Sequence, residues 1–165
     1  MATIKLKGNP IQTNGNLPKI GDQAPDFDLI NDELAHVSLN DYKGQNVILN
    51  IFPSIDTPVC AQSVRTFNKR ASEKGNTKVL CVSKDLPFAQ KRFCGAEGIE
   101  NVQTLSDFEG KSFSDTYGVT IAEGAFKGLM ARAIVAINPE GKVVYTEMVD
   151  DIVNEPNYDA VLEKF

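Results

Sequence analysis

Apolar and polar positions change period several times along this chain, and each change marks an element. Residues 2–15 form two short, partly alternating stretches joined around Gly8-Asn9-Pro10, which predicts a small N-terminal β-hairpin. A turn-rich approach from Leu17 ends in Phe27-Asp28-Leu29-Ile30. Residues 46–52 are a β-branched apolar run stopped by Pro53, the pattern of a buried strand. Thr57-Pro58 then offers a helix start, because threonine caps well and the fixed φ of proline suits the first helical position. That helix is expected from Val59 to about Lys74, with Gly75 ending it.

Residues 78–82 repeat the apolar strand pattern, and residues 87–93 begin a second helix that Gly95 and Gly98 would end. A short strand at 102–105 and a helical turn at 113–117 follow. Residues 131–137 and 142–149 pair as strands around Asn138-Pro139-Glu140-Gly141, a good turn sequence, and residues 156–165 close the chain as a helix. Alternating strands and helices predict an α/β protein. The late hairpin narrows this to a thioredoxin-like fold: a central mixed sheet flanked by helices, with the N-terminal β-hairpin added. The expectation is one domain over residues 1–165, with 1–15 as the hairpin extension, since 165 residues suit a single core.

Charge and cysteine usage narrow the function classes. The net charge is −5 with no basic cluster, which argues against a nucleic-acid partner and against an anionic membrane surface. No apolar run approaches membrane-spanning length, and residues 1–8 lack the apolar core of a signal peptide, so a cytoplasmic location is expected. The three cysteines, Cys60, Cys81 and Cys94, are too few and odd in number for a disulfide scaffold. In a reducing compartment a disulfide would be transient and catalytic. One histidine, His36, and no Cys-x-x-Cys pair leave no metal site to expect. No cofactor is expected either: Gly110, Gly118, Gly124 and Gly128 form no phosphate-binding pattern.

The chemistry concentrates in Pro53-Ser54-Ile55-Asp56-Thr57-Pro58-Val59-Cys60, between a buried strand and a helix. A thiolate, not a thiol, attacks electrophiles. A cysteine in the first helical turn meets free N–H groups and the positive end of the macrodipole, both of which favour the anion. Thr57, three residues earlier, can face the same pocket, with a hydroxyl that both donates and accepts. Pro53 offers an apolar wall. Taken singly, each has a plainer reading: Cys60 as a small buried apolar residue, Thr57 as a helix cap, Pro53 as a strand stop.

Arg132 interrupts an apolar run, so its guanidinium needs an anion or a wet pocket, unless it sits at the exposed start of the strand. Cys94, near the end of the second helix, is either a second reactive thiol or a packed helix residue. Cys81 reads as core. His36 has no visible partner and reads as structural.

The octet resembles the peroxiredoxin signature Pro-x-x-x-Thr-x-x-Cys, and in its full form the bacterial thiol peroxidases among the atypical two-cysteine peroxiredoxins. The resemblance runs along nearly the whole chain, including Phe93-Cys94, Tyr117-Gly118-Val119, Ala131-Arg132-Ala133 and Glu155-Pro156. It implies a thiol-dependent peroxidase acting on hydrogen peroxide and alkyl hydroperoxides. By the same resemblance, Cys60 is the peroxidatic cysteine that becomes a sulfenic acid. Thr57 orients peroxide and sulfur, Pro53 shields the site, and Arg132 stabilises the thiolate and the transition state. Cys94 is the resolving cysteine, which closes an intrachain disulfide with Cys60 that thioredoxin reduces; the protein is a homodimer.

A disulfide needs Cα atoms within about 7 Å, so cysteines on two separate helices imply local unwinding during turnover. The rival readings are a thiol-disulfide oxidoreductase, a one-cysteine peroxidase, and a redox sensor or thioredoxin-like binding module without efficient turnover.

Overall fold

The computed structural model describes residues 1–71, 73–110 and 112–165. The chain opens with β1 (Thr3–Leu6) and β2 (Asn9–Gln12), an antiparallel hairpin. Then come β3 (Asp28–Ile30), β4 (His36–Ser38) and β5 (Asn46–Ile51). Helix α1 (Pro58–Ala71), β6 (Thr77–Ser83), α2 (Pro87–Glu97) and β7 (Gln103–Ser106) follow. The rest is α3 (Ser112–Thr116), β8 (Ala133–Ile137), β9 (Val143–Met148) and α4 (Tyr158–Leu162).

The main sheet has the order β4-β3-β7-β6-β5-β8-β9. It is mixed: β5, β6 and β7 run parallel, while β8 lies antiparallel to β5, and β3 to β7. This is the expected thioredoxin-like arrangement. Side chains alternate across the sheet, which divides the core in two. Val47, Leu49, Ile51, Leu80, Val82 and Val135 point to the face covered by Phe27, Phe113 and Tyr117. Ile48, Val79, Cys81, Ile134 and Ala136 point to the other, which α1 covers with Cys60, Val64 and Phe67, and α4 with Val161 and Leu162. A fully buried aliphatic side chain contributes about 1.5–3 kcal/mol.

Several predicted boundaries move. The first helix ends at Ala71 rather than near Lys74; of the predicted stretch, Ser72 lies outside the described residues, and residues 73–75 form turns and bends. Gly95 does not end the second helix; Gly98 does, with φ +65°, the left-handed cap that glycine takes without strain. Strand β8 begins at Ala133, so Arg132 precedes it. The last helix spans only Tyr158–Leu162, capped where Asn157 Oδ1 accepts from the Ala160 N–H at 3.1 Å. The β3–β4 hairpin was absent from the expectation because each strand has only three residues. It gives His36 partners the sequence did not show: Nδ1 lies 2.7 Å from Asp28 Oδ1 and Nε2 4.0 Å from Glu109 Oε2.

The parallel strands β5, β6 and β7 all end at one edge, so the loops after them gather there. At that edge the octet of interest enters α1. Among the described residues, no helix is long and apolar enough to cross a membrane.

Candidate active site

Strand β5 delivers the chain to buried Phe52 and Pro53, and α1 begins at Pro58. Pro58 is thus the first helical residue, as its missing N–H and fixed φ favour. Cys60 is the third, inside the first turn, where backbone N–H groups have no intrahelical acceptor. Its side chain is fully buried, on the face that packs against the sheet.

Arg132 reaches the same place from 72 residues away. It is 1% exposed, which settles the two readings of this residue in favour of a buried guanidinium. Its Nη2 donates to Cys60 Sγ at 3.3 Å, and its Nε donates to the Ile152 carbonyl at 2.8 Å. Its Nη1 is buried with no hydrogen-bond partner among the described residues. A buried cation beside a sulfur favours the thiolate over the thiol.

Thr57 is partly buried just ahead of α1. Its carbonyl accepts from the Ala61 N–H at 2.9 Å, as a cap residue's does. Its hydroxyl is not spent on the helix: it donates to the Ser54 carbonyl at 2.9 Å and keeps lone pairs with which to accept. Pro53, four residues earlier, is buried. The structure therefore places Cys60, Thr57, Pro53 and Arg132 around one strand-to-helix junction.

Cys94 is not joined to them. All three cysteines are free thiols. Cys94 sits in the last turn of α2, half-buried, and is hydrogen-bonded to the Thr104 side chain. Burial raises its pKa, against the Thr104 bond, with nearby Asp32 adding to the rise. Gly95 follows Cys94, and the Gly98 and Ile99 N–H groups both bond to the Cys94 carbonyl. Glycine inside a helix costs about 1 kcal/mol relative to alanine. Helix α2 is pinned to α1 by Arg65, which pairs with Glu97 and lies 5.7 Å over the Phe93 ring. Cys81 is core: burial pushes its thiol up to about 12, opposed by a bond from Asn50.

Sequence reasoning missed Asp85. Its carboxylate accepts from the Ser54 hydroxyl at 2.7 Å, the Ile55 N–H at 2.7 Å and the Ser83 hydroxyl at 2.6 Å. The available signal was Ser83-Lys84-Asp85, an abrupt polar triplet directly after an apolar strand. The Ile152 carbonyl could not have been found from sequence.

Comparison with known proteins gives the family. The family model described as Redoxin matches residues 19–162. The thiol peroxidase of Mycobacterium tuberculosis (strain H37Rv) is 59% identical over 162 residues, 98% of this chain and 97% of that one. The thiol peroxidase of Corynebacterium glutamicum is 50% identical over 162 residues, 98% of each chain. Among solved structures, a peroxiredoxin-like protein from Aquifex aeolicus superposes with a TM-score of 0.91 at 42% identity, covering 99% of this chain and 95% of that one. Thiol peroxidase from Chromobacterium violaceum also gives 0.91, at 21% identity over 98% and 94%, a likeness of fold. The chain thus belongs to the Redoxin family, as a thiol-dependent peroxidase of the peroxiredoxin type.

Proposed function

We propose that the chain reduces hydrogen peroxide and alkyl hydroperoxides through Cys60, with Cys94 resolving and thioredoxin as the final reductant. The observation that carries the assignment of Cys60 is the buried Arg132 guanidinium 3.3 Å from its sulfur, in the first turn of α1.

The Cys60 thiolate attacks the terminal peroxide oxygen in line with the O–O bond. The S–O bond forms as the O–O bond breaks, and the second oxygen leaves with the electron pair, taking a proton to become water or an alcohol. Negative charge moves from sulfur to that leaving oxygen, so fixed donors aimed there lower the barrier. Arg132 holds the sulfur with Nη2 and has Nη1, unpartnered among the described residues, left to donate to that oxygen. Thr57 accepts the hydrogen of the attacked oxygen, which aligns the peroxide, and Pro53 keeps water from one side. The Cys60 sulfenic acid then condenses with the Cys94 thiol, forming the S–S bond and releasing water. Thioredoxin reduces the disulfide by exchange, returning two thiols. Cys60 is sealed on the sheet face while Cys94 faces Thr104, so the first turn of α1 and the last turn of α2 unwind for this step. Residues 1–165 act as one domain of a cytoplasmic homodimer.

The test is to treat the reduced protein with one equivalent of hydrogen peroxide, without reductant, and map the cysteines by mass spectrometry. A Cys60–Cys94 link within one chain is expected, and thioredoxin should then sustain turnover. A persistent sulfenic acid on Cys60 refutes the resolving role, and three unmodified thiols refute the assignment of Cys60.

A further inference from the structure

The loop ahead of α1 turns on Ser54, whose hydroxyl accepts the Asp56 N–H at 3.2 Å. Residues 53–57 lie outside helix and strand, and the Ser54 carbonyl accepts both the Thr57 N–H, at 3.2 Å, and the Thr57 hydroxyl, at 2.9 Å. What fixes Ser54 in turn is Asp85, which follows β6. One carboxylate oxygen takes the Ser54 hydroxyl, and the other takes the Ile55 N–H together with the Ser83 hydroxyl. The Ser83 hydroxyl also accepts from Gln90 Nε2 at 3.2 Å, and Gln90 is a fully buried residue of α2. The Asp85 carbonyl accepts from the Ser106 hydroxyl at the end of β7. One carboxylate therefore ties the peroxidatic loop, through Ser83, to the helix that carries Cys94.

Charge-assisted bonds to a carboxylate are short and roughly twice as strong as neutral ones. A carboxylate is also acceptor-only, and here it faces donors alone. From this we infer that Asp85 is a positioning residue that sets the balance between the two working conformations. It holds the loop in the form that attacks peroxide, and it restrains the unwinding that lets Cys60 meet Cys94. The inference rests on the two-cysteine reading above.

The consequence is a pair of opposite rate changes. Without Asp85, the loop loses its fixed placement of Thr57 and the first turn of α1. A displacement of about 1 Å at a reacting centre costs on the order of a hundredfold in rate. Peroxide attack should therefore slow by about ten- to a hundredfold in Asp85→Ala. Disulfide formation should quicken by about tenfold, equivalent to about 1.4 kcal/mol of lost restraint. Because the sulfenic acid then lives for less time, oxidation to the sulfinic acid at high peroxide should fall.

The experiment measures the two steps separately, by rapid quenching with a thiol-blocking reagent and mass spectrometry, on wild type, Asp85→Ala and Ser54→Ala. Ser54→Ala removes one of the three carboxylate bonds, together with the Asp56 N–H bond to the Ser54 hydroxyl, and should move both rates the same way by less; it also keeps the test decisive if Asp85→Ala does not fold. A slower first step with a faster second step supports the inference. Unchanged rates, or both steps slowed together as a merely loosened fold would give, overturn it. Wild type separates the two levels: if its own Cys60 and Cys94 do not link, the two-cysteine reading has failed; if they link normally and the variants match wild type, only the role of Asp85 has failed.

Discussion

Replacing Arg132 by methionine tests the centre of the site most directly. Methionine keeps an unbranched chain of similar reach and removes the charge and every donor. At 3.3 Å the guanidinium faces the Cys60 sulfur. With an effective dielectric of about 20, opposite unit charges at that separation attract by about 5 kcal/mol, an upper figure. Hydrogen bonds to charged groups contribute about 1.5–3 kcal/mol net, because the charge must first be stripped of water. Both the attacking sulfur and the transition state draw on this contact, so attack slows when it is lost. At about 1.4 kcal/mol per factor of ten, peroxide reduction should slow by about ten- to a hundredfold.

Stability should move less. The Ile152 carbonyl loses its donor, a loss of about 1–3 kcal/mol, while removal of a buried cation offsets part of that. The assay is single-turnover loss of the Cys60 thiol in a Cys94→Ser background, with the ultraviolet absorbance of the thiolate followed against pH and the fold checked by circular dichroism. Arg132→Lys should recover part of the rate, since it restores charge without the fork. A folded Arg132→Met whose rate and thiolate titration match wild type would refute the role given to Arg132.

Four further outcomes follow from the same coordinates. Thr57→Val should slow peroxide attack by about a hundredfold, the order of loss when a reacting group is displaced by about 1 Å, because the hydroxyl that aligns the peroxide is gone; Thr57→Ser should restore most of it in the same single-turnover assay. Cys81→Ala should leave thioredoxin-linked turnover unchanged and reduce stability by about 1 kcal/mol in urea unfolding, because it opens only a small void in the core. His36 has a raised pKa, chiefly through its bond to Asp28, so its stabilising contribution is fully present below about pH 6.5 and is lost as pH rises through the raised value; the difference in Tm between wild type and His36→Gln should shrink over that range. Ile4→Ala, at a fully buried hairpin position, should cost about 2–5 kcal/mol in denaturant unfolding.

How much of this was legible beforehand depended on the distance along the chain. The strand ended by Pro53 and the helix opened by Thr57-Pro58 are local patterns, and the octet stood where the sequence placed it. Strands β5, β6, β8 and β9 announced themselves by apolar runs for the same reason. The three-residue strands β3 and β4 are too short to carry a period. Arg132 was visible as an anomaly, but its sulfur partner is 72 residues away. Asp85 lies 31 residues from Ser54, and nothing in its own neighbourhood says which loop it will hold. Partners that meet only through sheet topology leave no mark on local spacing.

The N-terminal hairpin shows how such distant partners accumulate into a site. Lys5 of β1 donates its N–H to the Asp150 carbonyl and accepts from the Ile152 N–H, at 2.8 and 2.9 Å. The Asp151 carboxylate takes the Lys7 and Gly8 N–H groups at the hairpin turn, and Ile4, Ile11 and Ile152 share one apolar cluster. The segment so fixed is the one whose Ile152 carbonyl receives Arg132 Nε. An arginine beside a nucleophile is useful only if its fork cannot swing away, and a guanidinium pivots about Nε. Anchoring Nε to a backbone that the hairpin has already tied down fixes the fork whose Nη2 donates to the Cys60 sulfur. The hairpin, which touches neither Cys60 nor Arg132 in any of these contacts, thereby holds the orientation of the group on which the proposed chemistry depends.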